Sequence, residues 1–208
     1  MTKINSTILI LIALFFISCG EVTKTSPLID IGSIAIDNKN ISIYSTDANI
    51  SDSATATYND NSTATVTDDV SWSDSNNTIL SVTQGKISIS TNNGGDTNLS
   101  INYKKFNDST LVHVNKLTSF NLVYPDVNST GTGSYTFSAK GNFDNNQTDR
   151  LIKSNIFWTV NNGAVISILD GVATITFITG DTNVTATMFG DTNKSSPIAP
   201  ITVNFKLN

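Results

Sequence analysis

Val70-Ser71-Trp72-Ser73 and, 86 residues further on, Ile156-Phe157-Trp158-Thr159 are the stretches whose reading decides the fold. Each sets a tryptophan in a short run bounded by Asp, Asn and Ser, the composition of a strand held between turns. The match does not stand alone. Gly95-Asp96-Thr97-Asn98 recurs as Gly180-Asp181-Thr182-Asn183 at an offset of 85, and Val112-His113-Val114-Asn115 as Ile201-Thr202-Val203-Asn204 at an offset of 89. A longer loop over residues 193–200 takes up the slack. One unit of nearly 90 residues, used twice, accounts for all three pairs.

Inside each unit the apolar residues recur at every second position. Ala54, Ala56 and Tyr58 alternate with Thr55 and Thr57, and Leu99, Ile101 and Tyr103 with Ser100 and Asn102. Ile87 and Ile89 do the same in the first unit, as do Tyr135, Phe137 and Ala139, then Val184, Ala186 and Met188, in the second. Period two is the signature of half-buried strands, and about seven short strands per unit is the number expected of an immunoglobulin-like sandwich. Composition agrees: Thr, Ser and Asn supply the polar positions, while Glu21 and Arg150 are the sole residues of their types. That is poor material for amphipathic helices and good material for strands and turns. At 38% hydrophobic and 14% charged residues the chain lies outside the disordered class. The predicted class is all-β, two tandem immunoglobulin-like β-sandwiches.

The runs Ala54-Thr55-Ala56-Thr57-Tyr58, Val66 to Asn76 with Trp72 at its centre, the turn at Gln84-Gly85, and Gly95 to Leu99 together resemble the bacterial immunoglobulin-like group 2 domain. The second unit repeats the order with Tyr135 to Phe143, Ile156 to Val160, Asp170-Gly171 and Gly180-Asp181-Thr182. The resemblance covers residues 28–208. It implies a sandwich without an inter-sheet disulfide, Trp72 and Trp158 each inside a core, and a place among bacterial surface proteins and adhesins.

The N-terminus reads as an address. Lys3 precedes an unbroken apolar run over residues 8–17, long enough for a secretory signal and too short for a span, which takes about 20 residues. The run closes on Phe16-Ile17-Ser18-Cys19-Gly20, which is similar to the lipobox of bacterial lipoproteins, with Phe16 where Leu is usual. The resemblance implies cleavage before Cys19, acylation of that residue (palmitate or a like chain), and anchoring to a membrane. Gly20, in a place where Asp would signal inner-membrane retention, favours the outer membrane. The divisions expected are a signal peptide over 1–18, a lipidated tether over 19–27, and two domains over 28–117 and 118–208.

Charge limits the partners. The formal net charge is −5, and loss of Lys3 leaves 11 basic against 17 acidic residues, near −6. Such a surface repels a phosphate backbone, so nucleic acid is excluded as a partner. With Cys19 as the one cysteine, the domains can hold no disulfide, thiol nucleophile or thiolate metal site. His113 is the one histidine. It alternates with Val112 and Val114 on a predicted last strand, a solvent-facing position rather than a catalytic one. Asp60, Asp68, Asp69 and Asp74 lie close in sequence and carry calcium-type oxygens, but their spacing matches no calcium loop and suits β-turns.

These readings predict no catalytic site, cofactor or metal. They point to a lipid-anchored cell-envelope protein whose domains act as a spacer, adhesion or structural module toward an envelope protein or glycan. The alternative is a carbohydrate-binding accessory lipoprotein of an uptake or degradation system, marked by exposed aromatics on one face. Between the units, Asn115-Lys116-Leu117-Thr118 contains no Gly or Pro, which predicts a connection with restricted bending.

Overall fold

The computed structural model describes residues 30–89, 91–125, 133–161, 164–177, 181–189 and 198–205. The signal peptide, Cys19 and the tether lie outside them. Among the described residues the structure is all strand, turn and loop, without a helix. The first half comprises β1 (Ile31–Ile36), β2 (Ile41–Tyr44), β3 (Ile50–Ser51), β4 (Ala54–Tyr58), β5 (Thr63–Thr65), β6 (Ser71–Asp74), β7 (Ser81–Thr83), β8 (Lys86–Ser88), β9 (Gly95–Tyr103) and β10 (Phe106–Asn115). The second comprises β11 (Leu117–Val123), β12 (Gly133–Phe143), β13 (Arg150–Leu151), β14 (Ile156–Val160), β15 (Val165–Leu169), β16 (Val172–Phe177), β17 (Thr182–Met188) and β18 (Ile201–Phe205).

In the second half, the five-stranded sheet β11-β12-β16-β15, with β13 paired to β12, faces the three-stranded sheet β14-β17-β18, the two-layer arrangement of an immunoglobulin sandwich. Phe120, Phe137, Ala139, Ile175 and Phe177 of one sheet share a core with Ile156, Trp158, Val184, Ala186, Met188 and Phe205 of the other. Phe137 is fully buried, with edge-to-face contacts to Trp158, Phe177 and Phe205 at ring-centre distances of 6.4, 6.3 and 5.4 Å. In the first half, sheet β2-β10-β9-β6 faces β1-β4-β5 together with β3-β8-β7. A separate core forms there from Ile34, Ile36, Ala54, Ala56, Ile87, Leu99, Ile101, Val112 and Val114. The alternating residues read from sequence are thus the inward faces of these sheets. Residues Ile31–Asn208 belong to one compact unit containing both cores.

The repeat runs deeper than its sequence matches. A register irregularity between Ile31 and Ser33 in β1 returns between Leu117 and Ser119 in β11, 86 residues later. Gln84-Gly85 and Asp170-Gly171 turn with the same left-handed angles, φ 48° and 73° against 48° and 75°. A side chain at either glycine would strike a backbone carbonyl, with Cβ 2.3 Å from the Asp52 oxygen or 2.5 Å from that of Ile152. Only glycine accommodates both the angle and the close approach.

Two features depart from the sequence reading. Trp72 is half-buried at the margin of its core and Trp158 is 6% exposed, although β6 and β14 both end their sheets; Trp158 has the Phe137 ring against it, where the first copy carries Ser51 at the offset of 86. The indole N–H groups also find different acceptors, the Thr67 carbonyl at 2.9 Å and the Gly171 carbonyl at 3.0 Å. At the junction, Lys116 alone separates β10 from β11, and Leu117, grouped with the first domain from sequence, is fully buried in the second core.

Candidate functional site

His113 lies where the alternation places it, on β10 opposite Asp96 of β9, with Nδ1 2.6 Å from the Asp96 carboxylate. Both side chains are substantially exposed. The pair links neighbouring strands on an outer face, and no nucleophile is hydrogen-bonded to the ring among the described residues.

The four aspartates are not gathered into a metal site: among the described residues no three His, Cys, Asp or Glu side chains are placed to hold an ion. Asp60 instead closes its own turn, accepting from the Ser62 amide at 2.9 Å and the Ser62 hydroxyl at 2.6 Å. Those two bonds hold its carboxyl below the usual carboxylate range. Asp69 donates its amide to the Val66 carbonyl within the next turn.

The densest convergence of polar side chains lies at the junction of the two halves. Asn92 is buried and grips Leu117 on both sides, donating to its carbonyl at 2.8 Å and accepting from its amide at 3.0 Å. Ser45, also buried, donates to the Asn92 oxygen at 2.8 Å and accepts from the same Leu117 amide at 3.1 Å. Lys116 is held from the other half, its amide donating to the Asp144 carboxylate and its carbonyl accepting from the Asp144 amide, each at 3.0 Å. Asn155 and Ser154 of the second half donate to the Ser45 and Thr46 carbonyls at 3.2 and 2.6 Å.

Beside this network Arg150, the chain's one arginine, reaches across. It pairs with Asp47 at 2.7 Å and lays its guanidinium 4.0 Å from the Tyr44 ring centre. Tyr44 in turn meets Phe143 edge-on at 4.7 Å. Asp47 is itself fixed, its other oxygen accepting from the Tyr44 amide at 2.9 Å. A planar guanidinium that pairs and stacks at once loses less freedom per contact than a lysine would. Sequence reasoning pointed to the absence of a flexible linker and missed the residues that do the holding. The available signal was the single Arg150 in a chain otherwise supplied with lysine.

Aromatic exposure is divided. Phe157 is 51% exposed on β14, and Tyr124, 43% exposed, follows β11 of the other sheet, so the two do not form one platform. Tyr124 borders an open groove of about 590 Å³ lined also by Val123, Pro125, Tyr135 and the hydroxyl residues Ser134 and Thr136.

No model of a known protein family matches the chain, and no curated protein matches it. Among solved structures, the chain aligns over 86% of its length with the surface-layer protein SbsC. It spans 31% of a fragment holding domains 4–9, with 14% identity and a TM-score of 0.34. Against domains 5–6 of that protein it spans 98% of the fragment, with 14% identity and a TM-score of 0.35. The Yersinia pseudotuberculosis adhesin InvE aligns with 85% of this chain and 58% of its own, at 11% identity and a TM-score of 0.36. A Parabacteroides merdae β-glucuronidase aligns with 83% of this chain and 24% of its own, at 10% identity and a TM-score of 0.30. At such low overlap, what this chain does has to be read from its own residues.

Proposed function

We propose that this chain is a non-catalytic, lipid-anchored protein of the bacterial cell envelope whose two immunoglobulin-like domains, of the group 2 type, form a semi-rigid spacer or adhesion module. The observation that supports the reading is the junction. A flexible pair of domains needs no buried side chains at its connection, whereas here the buried Ser45 and Asn92 hold Leu117 and a charged pair bridges the halves. Buried polar groups left unpaired are costly, so bending at Lys116 would expose or orphan several of them together. A fixed angle between modules is the property a spacer requires. The lipid on Cys19 supplies the anchor in this reading, and the outer membrane is its proposed location.

Two measurements test it. Cys19→Ser should abolish incorporation of labelled palmitate and partitioning into detergent; equal partitioning removes the anchor. Small-angle scattering of the Cys19→Ser form without residues 1–18 should fit one inter-domain angle, and a broad spread of angles removes the spacer.

The groove beside Tyr124 favours a second reading, a glycan-binding accessory lipoprotein, since tyrosine rings flanked by hydroxyls suit a sugar. Saturable binding on a glycan array that is lost in Tyr124→Ala would establish it over the spacer.

A further inference from the structure

We propose that the free edge of β15 is a self-association surface, through which two copies of this chain pair antiparallel about Ser167. β15 ends the sheet β11-β12-β16-β15, so among the described strands its outer backbone groups have no ladder partner. Exposed edges of soluble sandwiches are usually blunted by charge, proline or brevity. This one has none of these: Val165–Leu169 is five residues long, uncharged, and ends in Ile168 and Leu169, which are 50% and 75% exposed.

The first half supplies an internal control. At the offset of 86 residues, Ile168 and Leu169 correspond to Val82 and Thr83, Ser167 to Ser81, and the exposed Phe157 on the adjacent edge strand β14 to Ser71. The equivalent edge strand β7 has three residues, and β6 ends in Asp74. The same edge position is thus short and ends in Thr83 in one copy, and longer and ends in Leu169 in the other, with Asp74 on the neighbouring β6 of the first. A requirement of the fold would act on both, so the difference calls for an occupant of the second.

The pattern identifies that occupant as another copy of the chain. Val165-Ile166-Ser167-Ile168-Leu169 reads apolar, apolar, Ser, apolar, apolar from either end. With a two-fold axis at Ser167, antiparallel pairing sets Ser167 opposite Ser167, Ile166 opposite Ile168, and Val165 opposite Leu169. Ser167 thus meets Ser167, and Ile166 meets Ile168, on the same face of the joined sheet. Two chains each near −6 repel, and an uncharged strand lets them meet without bringing like charges opposite one another. A two-fold contact of this sort also closes at two copies and does not propagate. The inference is independent of the spacer reading.

The test uses the full chain in bacterial membranes. Residues directly opposite across an antiparallel pair have Cα atoms about 4.5 to 5.5 Å apart, inside the roughly 4.4 to 6.8 Å that a disulfide spans. Ser167→Cys should therefore give, on mild oxidation, a homodimer joined at position 167. Ser81→Cys, its counterpart on β7, should give no more than the unsubstituted chain with its Cys19. Adding Leu169→Lys to Ser167→Cys should lower the dimer fraction roughly tenfold, because pairing would then bury an unpaired ammonium. Sedimentation velocity of the otherwise unsubstituted full chain in detergent provides a second readout, a dimer that Leu169→Lys converts to monomer. Equal cross-linking at positions 81 and 167, cross-linking of position 167 to a different protein, or a monomer in detergent would each overturn the proposal.

Discussion

The two sandwiches follow one plan and solve its centre differently. In the second, β12 runs unbroken from Gly133 to Phe143, pairing with β16 through its first half and with β11 through its second, and drives Phe137 into the core. In the first, the corresponding path is split into β3 and β4 at Asp52 and Ser53. Asp52 is buried there, accepting from the Asn38 amide and side chain and from the Ser53 amide, and among the described residues its other carboxylate oxygen has no partner. An aromatic core in one copy is thus matched by a polar interruption in the other. The repeat preserves backbone angles and register more strictly than it preserves what fills the middle, since volume can be redistributed among neighbours while a left-handed glycine against a carbonyl cannot.

The sharpest test of that contrast is the tryptophan pair. Trp158→Ala should destabilise the second sandwich by about 3 to 5 kcal/mol, the cost of emptying a buried indole site, while Trp72→Ala should cost the first about 1 to 3 kcal/mol from its half-buried edge. Urea unfolding followed by circular dichroism serves to compare them, the fluorescence of the remaining tryptophan separating out the transition of the unsubstituted half. Equal losses would mean that the two cores are equivalent after all. Gly85→Ala and Gly171→Ala should lie closer together, each costing roughly 1 to 3 kcal/mol, because angle and carbonyl contact are nearly the same in both copies. A difference larger than their mean would break the claim that the turns are the invariant part.

Between the halves, Arg150→Met should cost about 1 kcal/mol by removing a partly exposed ion pair and its stacking on Tyr44. Its larger signature is a wider spread of inter-domain angles in scattering, with little change in either unfolding midpoint. The smallest effect expected is confined to the first half. Burial pushes the Asp108 carboxyl up, but its bonds to the Lys39 ammonium and the Ile36 amide outweigh this and hold it below the ordinary range. A carboxyl lowered by folding stabilises above its unfolded pKa of about 3.9, and that contribution is lost as pH falls through the folded value. Asp108→Asn should therefore lower stability at neutral pH and converge with the parent under acid titration.

Much of this was legible in the chain. Alternation at residues 54–58, 99–103, 135–139 and 184–188 located inward faces correctly, because period two belongs to the backbone and each strand carries its own record of it. The depth of Trp72 was not legible. Burial of a strand residue depends on what distant parts of the chain lay against it, as Phe137 lies against Trp158, and such contacts are a long-range property that no local window contains. The junction residues were hidden for a similar reason. Asn92, Asp47 and Asn155 come from separate loops, and Asn and Asp are so common in the turns of this chain that none stood out. His113 was readable because its role is local: it alternates with Val112 and Val114 on one strand.

One pairing has a mechanical meaning. β2 and β10 run parallel, Ile41 to Tyr44 alongside Val112 to Asn115, so the second and the last strands of the first sandwich are neighbours pointing the same way. Tension applied between the residues before β1 and those beyond Lys116 must first draw β1 from β4. It then pulls β2 backward and β10 forward along a common axis. The hydrogen bonds between them are loaded in shear, all at once, instead of being unzipped one after another. A clasp of four residue pairs in that geometry resists a steady pull far better than its small equilibrium stability implies.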